Sequence, residues 1–96
     1  MLDIFKKISD TQNPQGIMAI VKQPAYALED VIDGSLDARY IVLNKLQDPG
    51  NLGTIMRTAE AAGIKAVIMD RETVDIFSPK VVRATMGAIL RVPFIY

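Results

Sequence analysis

The sequence predicts an α/β domain, a partial Rossmann-like and mainly parallel sheet flanked by helices, on three observations. Apolar, β-branched runs at 17–22, 39–46 and 64–70 have the near-continuous character of strands covered on both faces. Segments with helical spacing alternate with them, and each opens on a proline turn, Asp48-Pro49-Gly50 or Ser78-Pro79-Lys80. Ninety-six residues, half of them apolar, with a mean hydropathy of +0.22, limit the chain to one small core. In such folds ligands gather at the carboxyl ends of the strands.

Taken in order, residues 1–14 read as a short helix with Leu2, Phe5 and Ile8 on one face, stopped by linker chemistry through Asn13 and Pro14. Residues 15–96 form the domain. Its first strand is Ile17-Met18-Ala19-Ile20-Val21, followed by an acidic stretch (Glu29, Asp30, Asp33, Asp37) with room for a short helix at 27–32. The strand through Tyr40-Ile41-Val42-Leu43 comes next, then a helix, the strand at 64–70, a connection at 75–77, a second helix at 79–88 and a last strand at 90–96.

The most informative run is Asp48-Pro49-Gly50-Asn51-Leu52-Gly53-Thr54-Ile55-Met56-Arg57. Pro49 presets a turn dihedral, and Asn51 is the expected N-cap, its side-chain oxygen accepting from orphan amides of the first turn. Leu52, Ile55, Met56, Ala59, Ala62 and Gly63 make the stripe that packs on the sheet. Arg57 lies off that stripe and, read alone, fits a solvated helix arginine. Gly53 points to a site instead, because a glycine there costs about 1 kcal/mol against alanine and lets a backbone or ligand come close.

The second constellation begins at Ser78, an expected N-cap followed by Pro79 at the first helical position. Val82, Thr85, Met86 and Ile89 form its expected buried stripe, with Lys80, Ala84 and Gly87 opposite and Arg83 on the shoulder. Cations in the first turns oppose the helix dipole, so a phosphate clamped by Lys80 and Arg83 is the expected occupant. Two solvated basic residues are the plainer alternative. Gly87 marks either a helix end or a close approach by a backbone, ligand or second subunit.

Composition narrows the chemistry. Eleven basic and eleven acidic residues cancel, so polyanion contact must be local, around Arg57, Lys80, Arg83 and Arg91. The chain contains neither cysteine nor histidine, which removes disulfides, thiolate sites and the commonest metal ligand, so no metal is expected. No apolar run is long enough to span a bilayer and no secretory signal pattern opens the chain, so a cytoplasmic location without membrane contact is expected.

Together, Asp48-Pro49-Gly50-Asn51-Leu52-Gly53 with Arg57-Thr58-Ala59, and Ser78-Pro79-Lys80-Val81-Val82-Arg83-Ala84-Thr85-Met86-Gly87-Ala88 leading into Arg91-Val92-Pro93, resemble the first two motifs of the SpoU (TrmH-like) RNA 2′-O-ribose methyltransferases of the SPOUT superfamily. The resemblance covers 15–96, and 1–14 resembles the linker helix from an amino-terminal RNA-binding domain. It implies transfer of a methyl group from S-adenosylmethionine to a ribose 2′-hydroxyl of ribosomal or transfer RNA. Asn51 and Arg57 match the family's first-motif active-site pair, with Asn51 orienting the guanidinium, while Lys80, Arg83 and Gly87 match its second motif. Thr85 stands where serine is frequent.

The family's third motif and its cofactor-binding trefoil knot are expected beyond Tyr96. The chain is therefore expected to be the amino-terminal half of the catalytic domain, without the knot, neither binding the cofactor nor active alone, and associating as a homo-oligomer, a dimer in the family. The alternative function is a non-catalytic RNA-binding or assembly module retaining Arg57, Lys80 and Arg83. A third reading is a small α/β fragment without a ligand, held by self-association.

Overall fold

A computed structural model describes residues 16–96, so the expected helix and linker at 1–14 lie outside the described residues. Three parallel strands, β1 (Tyr40–Leu43), β2 (Ala66–Met69) and β3 (Phe94–Ile95), form a sheet in the order β1-β2-β3. Tyr40 pairs with Ala66 and Leu43 with Met69, while Val67 pairs with Phe94. Helix α1 (Leu28–Val31) precedes β1, α2 (Pro49–Ala61) joins β1 to β2, and α3 (Pro79–Ala84) with a 3-10 turn (Ala88–Leu90) joins β2 to β3. Because α2 and α3 pack on one another, both crossovers lie on one side of the sheet. That is the arrangement expected when successive parallel connections of one hand step across a sheet in one direction.

The core lies under those helices. Leu52, Met56 and Ala59 of α2 meet Val67 and Met69 of β2, Val81 of α3, and Ile76, Ala88, Ile89, Val92 and Phe94. Tyr26 and Phe77 add edge-to-face contacts to Phe94, at centroid separations of 5.4 and 5.6 Å.

Several expectations are corrected. The run 17–22 is not a strand: it has no ladder partner among the described residues, and Ile17 and Ile20 are exposed there, because apolar β-branched residues make a strand only where a neighbour completes the hydrogen bonds. Among the described residues β1 is an edge strand, with Val42 exposed at 71%, and the central strand, with Ala66 and Val67 both buried, is the one covered on both faces. In α2 the stripe holds for Leu52, Met56 and Ala59, whereas Ala62 and Gly63 lie beyond the helix end and are exposed.

Helix α3 stops at Ala84 instead of running to 88, since Met86 and Gly87 both take positive φ. The buried residues of α3 and the 3-10 turn after it are consequently Val81, Thr85, Ala88 and Ile89, with Val82 and Met86 exposed. Gly87 is a left-handed helix-end residue, covered by the guanidinium of Arg91 within about 3.1–3.2 Å of where a Cβ would stand.

Candidate functional site

Since all three strands are parallel, their carboxyl ends at Leu43, Met69 and Ile95 lie on one side, and the loops leaving Leu43 and Met69 emerge there. The loop after β1 is short and its backbone is held from outside. Lys45 takes a left-handed conformation (φ 57°), and its amide donates to both carboxylate oxygens of Asp70 at 3.0 Å. Asp70, just beyond β2, also accepts from the Thr73 amide at 2.9 Å and the Thr73 hydroxyl at 2.7 Å. Leu46 donates to Thr73 Oγ1 at 3.3 Å, and the Val74 amide returns to the Leu46 carbonyl at 2.8 Å. The loops after β1 and β2 are thereby zipped together. Sequence reasoning missed Asp70 and Thr73 because their partners lie about 25 residues away.

The Thr73 hydroxyl, and after it the Lys45 amide, hold the Asp70 carboxyl below its ordinary value. A depressed carboxyl contributes stability that is complete above its unfolded-state pKa and is lost as pH falls through the lower folded-state pKa. Urea melts from pH 6 down to pH 2 should therefore show stability falling from about pH 4, with Asp70→Asn flattening that slope. Glu60 contributes in the same window, lowered by its pairing with Arg91, so Glu60→Gln serves as the companion variant.

Helix α2 begins three residues earlier than an N-cap at Asn51 implies. Asp48 is the N-cap, its Oδ1 accepting the Asn51 amide at 3.0 Å, and Pro49 takes the first helical position, where its missing N–H is no loss. Asn51 is exposed in the first turn, its side chain free of the capping duty. Two turns on, the exposed Arg57 donates from Nη2 to Thr54 Oγ1 at 3.2 Å, and Thr54 Oγ1 donates to the Gly50 carbonyl at 3.0 Å. The hydrogen bond of the guanidinium thus runs to Thr54, between Arg57 and the first turn, where the sequence reading had assigned its orientation to Asn51.

Gly53 is explained by a backbone and not by a ligand. A Cβ there would stand 2.2 Å from Ala84 Cβ and 2.7 Å from the Ala84 carbonyl carbon, so α3 lies directly on α2 at this point. The contact also places Ala84 at the helix interface, opposite to its expected outward face.

On α3, Lys80 and Arg83 are exposed as expected. The helix is only six residues long, and Arg83 falls in its last turn, where positive charge suits the dipole. Only Lys80 therefore opposes the dipole in the first turn, so the two residues do not form a paired clamp at the helix start and both cations face solvent. Ser78 occupies the N-cap position without a side-chain cap hydrogen bond, and its buried hydroxyl has no partner among the described residues. Arg91 is already engaged: its guanidinium pairs with Glu60 of α2, Nη2 to Oε1 at 3.1 Å, and it reaches the Met86 carbonyl at 3.4 Å. Among the described residues no group of three or more acidic, histidine or cysteine side chains is placed to hold a metal, and no helix is long and apolar enough to cross a membrane.

With that geometry in place, comparison with known proteins is informative. The model of the SpoU rRNA methylase family matches residues 38–96, the span that carries both motif regions. The chain is 34% identical over 93 residues to the 23S rRNA (guanosine(2553)-2′-O)-methyltransferase RlmP of Bacillus subtilis, covering 97% of this chain and 35% of that protein. A TrmH-family protein from Porphyromonas gingivalis superposes with a TM-score of 0.79 at 42% identity, over 95% of this chain and 34% of the other. An AdoMet-bound rRNA methyltransferase from Sinorhizobium meliloti gives a TM-score of 0.60 at 49% identity, over 62% of this chain and 23% of that one. The chain therefore spans about a third or less of the length of these relatives.

Proposed function

The chain belongs to the SpoU rRNA methylase family, and from that premise we propose that it forms part of the catalytic domain of an RNA 2′-O-ribose methyltransferase. The observation that carries this reading is the tethered guanidinium of Arg57, drawn toward the first turn of the helix that leaves the carboxyl end of β1. A guanidinium does not deprotonate in proteins, which removes it as a general base. Its role is to stabilise negative charge developing on a ribose 2′-oxygen, or to hold the neighbouring phosphate. Asn51, exposed in the first turn, offers an amide that both donates and accepts and suits the sugar hydroxyls. Lys80 and Arg83 contact the RNA backbone from α3, and a 2′-hydroxyl as acceptor selects RNA over DNA.

S-adenosylmethionine is the methyl donor in this reading, as AdoMet is the ligand named for the Sinorhizobium neighbour. The polar groups on the described strand edge do not fit it. Asp70 is taken up by Lys45 and Thr73, and the Tyr96 hydroxyl by Ile76 and Val74. A homodimer belongs to the same reading, and the exposed Val42, Met86 and Leu90 favour association.

The test is fluorescence anisotropy with a labelled single-stranded RNA across a salt series. Arg57→Ala, Lys80→Ala and Arg83→Ala are each expected to weaken binding several-fold and to lower the salt slope by about one. Indifference to all three changes overturns the RNA contact.

A further inference from the structure

We propose that Thr54 is a positioning residue for Arg57, fixing the direction in which the guanidinium is presented. This rests on the reading of Arg57 as a group that faces RNA. The threonine hydroxyl carries a single hydrogen, and the Gly50 carbonyl takes it at 3.0 Å. What remains on Oγ1 is acceptor capacity, and Arg57 Nη2 supplies the matching donor at 3.2 Å. The order of the relay is thus set: arginine donates to threonine, and threonine donates to the backbone.

Each link is stiff where an ordinary surface arginine is loose. Thr54 is β-branched, so in a helix its χ1 is confined to the settings that let Oγ1 reach a carbonyl one turn back. Gly50 lies in the first turn of α2, where the Asp48 side chain caps the neighbouring Asn51 amide. Asn51, Thr54 and Arg57 follow at intervals of three, so the hydroxyl stands between the two side chains of the proposed site. Only one of the five guanidinium donors is consumed, which leaves the rest of the fork for a phosphate or a developing alkoxide.

The experiment uses the full 96-residue chain, labelled with 15N. It reads the Arg57 side-chain NMR signals together with anisotropy of the same single-stranded RNA. Thr54→Val keeps the shape and deletes the hydroxyl; Thr54→Ser keeps the hydroxyl. Thr54→Val is expected to loosen the guanidinium, seen as faster rotation about its Nε–Cζ bond, and to weaken RNA binding about threefold. Serine should restore both, and the valine change should have no further effect on affinity in an Arg57→Ala background.

A valine effect that persists unchanged in that background overturns the proposal, as does a valine variant matching the wild type in both readouts. If Arg57→Ala weakens binding while Thr54→Val is silent, only the role of Thr54 falls. If Arg57→Ala binds RNA as tightly as the wild type, the RNA-facing reading of Arg57 fails and the positioning role goes with it.

Discussion

Gly53→Ala is expected to lower the stability of the domain by about 3 kcal/mol, at the upper end of overpacking costs, with a thermal midpoint lower by roughly 10 °C or more. Helix propensity alone argues the opposite, since alanine in a helix gains about 1 kcal/mol over glycine. Contact geometry decides the sign: the added methyl would lie 2.2 Å from Ala84 Cβ and 2.7 Å from backbone carbon. A flexible side chain could yield, but here the neighbour is the main chain of α3. Ala84→Gly should therefore rescue the variant only in part, because the backbone contact survives removal of the Cβ. Thermal melts of the single and double variants check this, and a Gly53→Ala protein as stable as the wild type would show that the helices are not in contact there. The same displacement would shift Lys80 and Arg83 relative to Arg57.

Tyr96→Phe is expected to cost about 2 kcal/mol, within the range for orphaning buried polar groups. The Tyr96 hydroxyl accepts the Ile76 amide at 2.8 Å and donates to the Val74 carbonyl, stapling the end of β3 to the loop that leads into α3. Phenylalanine fills the space and leaves both backbone groups without that partner. Burial raises the phenol above its ordinary value, so the wild type holds this stability below about pH 10 and loses it as pH rises through the folded-state pKa. Denaturant melts at pH 7 measure the first effect. A series to pH 11 measures the second, which the phenylalanine variant lacks.

What could be read from the residues depended on how local the cause was. Strands β1 and β2 were legible because each is an apolar run closed by turn chemistry, and α2 because its stripe and its proline turn agree. The cap was misplaced at Asn51 because aspartate and asparagine both cap well. Proline's preference for the first helical position favours Asp48, and the structure follows it. In α3 the neighbouring pairs Val81-Val82 and Thr85-Met86 permit two stripes, and the left-handed turn at Met86 and Gly87 selects the one that composition did not. The segment 17–22 failed as a strand because pairing is a tertiary property.

The candidate site divides in the same way. Asn51, Arg57, Lys80 and Arg83 stood out by motif, and all four are exposed. Arg91 looked equally available until its pairing with Glu60 was visible. Asp70 and Tyr96 gave no signal, since nothing near them in sequence indicates the loops they hold. Thr54 was legible only as a residue three before the arginine, a spacing that permits a contact without demanding one.

The shared hydrogen bonds between the loops after β1 and β2 have a consequence for protein engineering. Residues 44–47 and 70–75 behave as one cassette, because Lys45, Leu46, Asp70, Thr73 and Val74 terminate each other's backbone groups. Grafting either segment alone into a homologous scaffold would leave amides facing nothing, whereas transplanting the two as a unit carries its own closure.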